Sequence, residues 1–149
     1  LLNRTKAGPY EAFSTDDGRT WSEAKPHAFI RHEVARHFLT KLRSGRLLLV
    51  KHGAVDEPKS TGRTRLMAFL SDDDGDVWRS GLMLDERQVS YPDGCQAEDG
   101  RIFVIYDHER SNAKEILVAS FTEADVAAGK LVSAQSRLKV LINKATGDK

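Results

Sequence analysis

Three stretches of this sequence combine residue types that could do chemistry. "HEVARH" at 32–37 sets two histidines around a glutamate, the composition of a zinc site. The zinc motif needs histidines four apart on one helical face, whereas His32 and His37 are five apart, opposed on a strand and splayed on a helix. Metal binding is not expected there. "DDDG" at 72–75 gathers carboxylates but lacks the spaced ligands and terminal glutamate of a calcium loop. It belongs instead to the third stretch, "SDDDGDVW" at 71–78, which repeats "STDDGRTW" at 14–21.

Both copies read SxDxGxxW, with Ser14, Asp16, Gly18 and Trp21 answered by Ser71, Asp73, Gly75 and Trp78. The chemistry these residues offer is structural. An aspartate accepts from backbone N–H groups further along a turn, glycine takes a positive φ without steric cost, serine caps the same turn, and tryptophan anchors it with apolar surface. Such a device suits a tight corner between antiparallel strands.

The elements around these corners read as strands. "YEAFS" (10–14), "HFLTKL" (37–42), "RLLLVKH" (46–52), "RLMAFLS" (65–71), "RIFVIYD" (101–107), "EILVASF" (115–121) and "RLKVLIN" (137–143) are apolar runs bounded by turn signals. "RSGR", "EDGR" and "HERSNAKE" connect them as hairpins. One segment departs from the pattern: "TEADVAAGK" offers Thr122 as N-cap, Glu123 and Asp125 in the first turn and Gly129 as a stop, which predicts a short helix.

Composition narrows the function classes. The chain has 149 residues, 40% of them hydrophobic, enough for a core. Its 23 basic residues balance 22 acidic ones, so no global field argues for nucleic acid or an anionic membrane. Cys95 stands alone, which rules out an internal disulfide and leaves the redox compartment open. No apolar run approaches the roughly 18 residues of a membrane span, and no signal peptide opens the chain. "LLNRT" reads as the inside of a strand, so the N-terminus is expected to be truncated; the compartment is left open, with an extracellular or periplasmic location compatible.

A box spacing of 57 residues, with about four strands per unit, fits the period of a β-propeller with loop insertions. The expected fold is all-β: a partial propeller of about two and a half blades ending near residues 26, 84 and 142, all within one domain, with the helix standing at the third box position. A ring needs typically four to eight blades to close, so the chain is expected to be a fragment or to assemble with further blades. A small β-sandwich with two similar turns is the alternative.

SxDxGxxW is the Asp-box. Together with "LLNRTKAGPYEAFSTDDGRTW", "RSGRLLLVKH", "RTRLMAFLSDDDGDVW" and "VSYPDGCQAEDGRIFVIYDHER", it makes the chain resemble the C-terminal half of the propeller in bacterial sialidase (neuraminidase)-like BNR-repeat proteins, over nearly its whole length. The resemblance implies six blades in the full-length protein and an exo-acting, retaining glycoside hydrolase with a tyrosine nucleophile and no cofactor or metal. Its partner would be a sialylated glycan or another acidic sugar. In that family an arginine triad holds the substrate carboxylate, for which the planar guanidinium suits. The local matches are Arg4 in "LLNRT" and Arg63 in "GRTRLMAFLS", with Arg65 the alternative in a shifted register, both sites being expected on inner strands. Tyr91 in "VSYPDG" matches the nucleophile; Glu11 is the nearest candidate for the glutamate that assists it. Asp93 and Arg36 are further ligand-contact candidates. The first triad arginine, the partner glutamate proper and the acid/base aspartate are expected upstream. Asp-boxes also occur in propellers that hydrolyse nothing, so a non-catalytic carbohydrate-binding or scaffold propeller is the second reading.

Overall fold

The two faces of one strand decide how the chain packs. In the run Leu47–His52 every residue after the first is buried, and alternate side chains point to opposite sides. Leu48 and Val50 join one apolar cluster, Leu49 another. The neighbouring run divides in the same way: Leu66, Ala68 and Leu70 face the first cluster and Phe69 the second. A sheet apolar on both faces must be covered on both, and two further sheets cover it.

The computed structural model describes residues 1–30, 35–57 and 62–147. The first sheet holds β1 (Leu2–Thr5), β2 (Gly8–Glu11) and β3 (Lys25–Pro26). The second holds β4 (Phe38–Lys41), β5 (Leu47–His52), β6 (Leu66–Ser71) and β7 (Arg79–Asp85). The third holds β8 (Val89–Gln96), β9 (Ile102–His108), β10 (Glu115–Phe121) and β11 (Arg137–Lys144), with α1 (Glu123–Ala128) between the last two. Each sheet is an antiparallel meander with strands in chain order. One cluster, with Leu82, Leu84, Val104, Leu117 and Phe121, lies between the second and third sheets. The other, with Ile30 and Trp78, lies between the first and second. The fold is therefore all-β and propeller-like, with one short helix.

The corners repeat in backbone and hydrogen bonding. Ser14 Oγ accepts from Gly18 N at 2.8 Å and Asp16 Oδ1 from Thr20 N at 2.9 Å; in the second copy Ser71 Oγ accepts from Gly75 N and Asp73 Oδ1 from Val77 N, both at 2.9 Å. Asp17 and Gly18 have φ of 58° and 83°, and Asp74 and Gly75 have 54° and 102°. Thr20, whose hydroxyl and N–H both bond to Asp16, helps hold that carboxyl down to about 2.

The tryptophans differ. Trp78 is buried among Ile30, Leu49 and Phe69, but Trp21 is half exposed and rests on its own turn, donating to Gly18 O at 3.0 Å. Anchoring by burial thus holds for one corner only, because only the second has a neighbouring sheet against its indole.

The helix forms as its sequence dictates. Thr122 caps it, with a reciprocal box to Asp125, and Gly129 ends it at φ 65°. It stands before the last strand of its sheet, as each box stands before the last strand of its own, and packs on β6 and β7. β1 is the strand read in "LLNRT"; the strands missing from the sequence series are β3, β7 and β8. "RSGLMLD" and "VSYPDGCQ" carry glycine, proline or charge that breaks the apolar pattern, and pairing with β6 and β9 supplies what local propensity lacks.

Candidate functional site

The ends of the strands opposite the Asp-boxes carry Arg63, Arg65 and Tyr91. The geometry begins with a bulge in β8. Ser90 pairs with Asp107 and Asp93 with Ile105, so Tyr91 and Pro92 sit on a register shift. Tyr91 has φ 54°, an unusual conformation for an aromatic residue, and bulges of this kind re-aim a side chain. Its ring is exposed while its neighbours Ser90 and Pro92 are buried.

Arginines from two hairpins meet that ring. The Arg63 guanidinium, from the β5–β6 connection, lies 5.3 Å from the ring centroid, and that of Arg110, from the β9–β10 connection, 4.4 Å. Such placement over an aromatic face is attractive in its own right. Hydrogen bonding to Arg110 and Arg63, and then their positive charge, lower the pKa of the Tyr91 phenol from its ordinary value.

Beneath them Ser90 Oγ accepts from Arg110 Nη2 at 2.8 Å and from Arg63 Nη1 at 3.4 Å, and donates to Asp107 Oδ1 at 2.7 Å. Arg110 also lies 3.4 Å from Asp107 Oδ2. A cleft of about 230 Å³ opens here, lined by Arg63, Ser90, Asp107 and Arg110 with Gln88 and Asn112 among the rest.

Hydrogen bonds between the second and third sheets hold these groups in place: Val89 N donates to Arg63 O at 2.9 Å, and the buried His52 ring donates from Nε2 to Val89 O at 2.8 Å. Within the second sheet, Arg65 N donates to Glu86 O at 3.3 Å and extends the β6–β7 ladder. Chemically, two guanidiniums beside a phenol with a lowered pKa can bind an anion and present an oxygen nucleophile next to it.

The structure brings Tyr91 and Arg63 together and distributes the other candidates elsewhere. Arg63 lies in a turn of the β5–β6 connection, not on an inner strand as expected, since Gly62 at φ 68° and Arg65 at φ 59° interrupt the extended backbone before Leu66. Arg65 is paired with Glu57 at 2.8 Å. Arg4 is exposed on β1, in the hairpin that precedes the first box, and does not line the Tyr91 cleft. Glu11 faces His27 at 3.7 Å and lines a different cavity, at the seam of the first two sheets with Leu39, Leu47 and Trp78. Arg36 reaches Asp93 at 2.9 Å, an exposed pair bridging the second and third sheets. Of the "HEVARH" histidines, His37 contacts Leu2 O at 3.3 Å and His32 lies outside the described residues.

Sequence reasoning missed Arg110, Ser90 and Asp107. A signal existed: Arg63 and Arg110 occupy the same connection, second strand to third, in successive sheets.

Stacked antiparallel meanders cornered by Asp-boxes define the class, an all-β Asp-box repeat protein. Residues 1–104 match the BNR repeat-like domain, and the chain belongs to that family. Domains of this kind are found in glycoside hydrolases such as sialidases. Among curated proteins none matches. A solved structure from Dyadobacter fermentans DSM 18053, described as an unknown function protein, aligns with a TM-score of 0.58 at 17% identity over 87% of this chain. This chain spans 39% of that one, and the likeness concerns the fold.

Proposed function

We propose that this chain is part of a sialidase-like glycoside hydrolase, three successive blades of a larger propeller, acting on a terminal sialic acid or a related acidic sugar. The observation that supports it is the bulged Tyr91 with its phenol against Arg63 and Arg110. In this reading the two guanidiniums of Arg63 and Arg110 hold the substrate carboxylate, and Arg4, outside their cleft, has no part. The Tyr91 phenol gives its proton to solvent and its oxygen attacks the anomeric carbon: the bond between them forms as the glycosidic C–O bond breaks, and the leaving oxygen takes a proton from an acid that the proposal assigns to sequence outside this chain. Water then attacks the same carbon, releasing the Tyr91 phenolate and giving its proton to the conjugate base of that acid, and two inversions give retention. Glu11 has no part in this version. The guanidiniums favour the phenolate, and Arg36 and Asp93, paired with each other, have no part in it.

A second reading, a carbohydrate-binding propeller without hydrolysis, is favoured by one feature. Asp107, the carboxylate in the Tyr91 network, is engaged by Ser90 and Arg110 and is poorly placed to take a proton.

The test is turnover of a fluorogenic sialoside by the longest natural protein containing this chain, beside its thermal midpoint, for the parent and Tyr91→Phe. Loss of at least ~100-fold in turnover at unchanged midpoint is expected. Retained turnover would refute the assignment of Tyr91, and saturable sugar binding without turnover in the parent would establish the second reading.

A further inference from the structure

Ser90 uses its whole hydrogen-bonding capacity on charged groups. A serine hydroxyl has one donor and two acceptor lone pairs. Here the donor goes to Asp107 at 2.7 Å, and the acceptors receive Arg110 at 2.8 Å and Arg63 at 3.4 Å. The residue is buried, on the strand directly before Tyr91, and its register partner across the sheet is Asp107 itself. Without the hydroxyl, the two guanidiniums, one from the second sheet and one from the third, would share only the face of the Tyr91 ring and no hydrogen-bonding anchor.

We propose that Ser90 is a positioning residue whose hydroxyl joins Arg63 and Arg110 into one anion clamp and fixes that clamp against Tyr91. Two electrostatic outcomes compete for Arg110. Asp107 Oδ2 already lies 3.4 Å from it, and a full ion pair would neutralise the clamp. By donating to the other oxygen, Ser90 holds the carboxylate in place, and by accepting from Arg110 it keeps that guanidinium over the ring at 4.4 Å. Removing the hydroxyl frees Arg110 to close on Asp107. Arg63 then loses the hydroxyl that ties it to the third sheet's side chains, and the phenol loses neighbouring positive charge. The consequence for hydrolysis rests on the function proposed above, but the clamp itself can be measured without any sugar.

The experiment is a pH titration of phenolate absorbance on the 149-residue chain, with a Tyr91→Phe sample subtracted to remove Tyr10 and Tyr106. Acetate affinity is read in parallel from the NMR signals of the arginine side chains. In Ser90→Ala the Tyr91 midpoint should rise toward that of a free phenol, and acetate should bind ~10-fold more weakly. Ser90→Thr, which keeps a hydroxyl, should leave both near the parent values. If Ser90→Ala does not fold, Ser90→Cys keeps the volume with a much weaker acceptor and should show the same upward shift. An unchanged midpoint in folded Ser90→Ala or Ser90→Cys, or a shift in Ser90→Thr as large as in Ser90→Ala, overturns the proposal. A shifted midpoint together with absent sialoside turnover in the full-length parent would retain the clamp and discard the hydrolase.

Discussion

Replacing Asp125 by asparagine changes one atom and should unfold the helix corner. The carboxylate is fully buried and accepts five bonds. Oδ1 receives Val132 N at 2.6 Å and Ser133 N at 2.9 Å; Oδ2 receives Thr122 N at 2.8 Å, Thr122 Oγ1 at 2.9 Å and Ser136 Oγ at 2.6 Å. Asparagine has one acceptor oxygen. Kept at the Oδ1 position, it turns its NH2 toward Thr122 N, which cannot reorient, although both hydroxyls can. Turned over, it faces two backbone donors. At least one buried N–H is therefore orphaned, about 1–3 kcal/mol, and the remaining bonds lose their charge assistance. A net cost of about 3 kcal/mol follows, or roughly 9 °C in Tm at about 3 °C per kcal/mol for a chain of this size.

The same carboxylate supplies a pH signature. Burial opposes its charge, but the bonds from Ser136, Ser133, Val132 and Thr122 outweigh burial and hold its pKa well below the ordinary carboxylate value. A depressed folded pKa means that the stabilisation is complete above the unfolded-state value, about 3.9, and is lost as pH falls toward the folded one. Thermal unfolding followed by circular dichroism from neutral pH downward should thus be flat and then fall below about pH 4, and the fall should be shallower in Asp125→Asn. A Tm within about 2 °C of the parent, or an acid limb of unchanged slope, would refute this account of the corner.

Three further substitutions test the packing of the fold. Trp78→Ala should cost about 3–5 kcal/mol in denaturant unfolding and Trp21→Ala under about 1, because the first indole is buried between sheets and the second is half exposed; equal costs would mean that the motif, not its surroundings, sets the energy. Gly94→Ala should destabilise by at least about 2 kcal/mol, since a Cβ there would stand 2.3 Å from Phe103 O on the paired strand, and a Tm unchanged from the parent would show that β8 shifts to admit it.

Residues whose role is local were legible from sequence, and those whose role depends on another sheet were not. The box turns, the Thr122–Gly129 helix signals and the apolar strands at 47–52 and 66–71 follow from near neighbours, so their types and spacing announce them. Tyr91 is a candidate through its flanking motif, but its bulge is not visible there, since the shift exists only in the pairing of β8 with β9. Arg110 stands in a polar hairpin, where a charged residue is the ordinary occupant; the pairing of β8 with β9 brings it over Tyr91, and the stacking of the third sheet on the second brings Arg63 to the same ring. Glu11 was chosen by sequence proximity to Arg4, and the sheet seam carries it to His27 instead.

Positive-φ backbone occurs at both ends of the strands, and it is held there by different means. At the box end Asp17 and Asp74 sit within turns whose own serine and aspartate side chains bond the surrounding N–H groups, so each corner is stabilised by residues of its own motif. At the cleft end Arg65, Tyr91 and Glu109 take φ between 45° and 59°, and each such residue costs on the order of 1–3 kcal/mol. Around Tyr91 the holding bonds run between sheets, Val89 to Arg63 and His52 to Val89, while Arg65 is held to Glu86 along the β6–β7 ladder and Glu109 by the N–H groups of Asn112 and Lys114 in its own hairpin. A strained phenol can keep its place only while the second and third sheets stay stacked, and the shared apolar cluster of Leu48, Val50, Leu66, Val104 and Leu117 keeps them so. The cleft is in this sense a property of the junction: the third sheet supplies the phenol and one guanidinium, the second sheet supplies the other, and the core between them sets the distance.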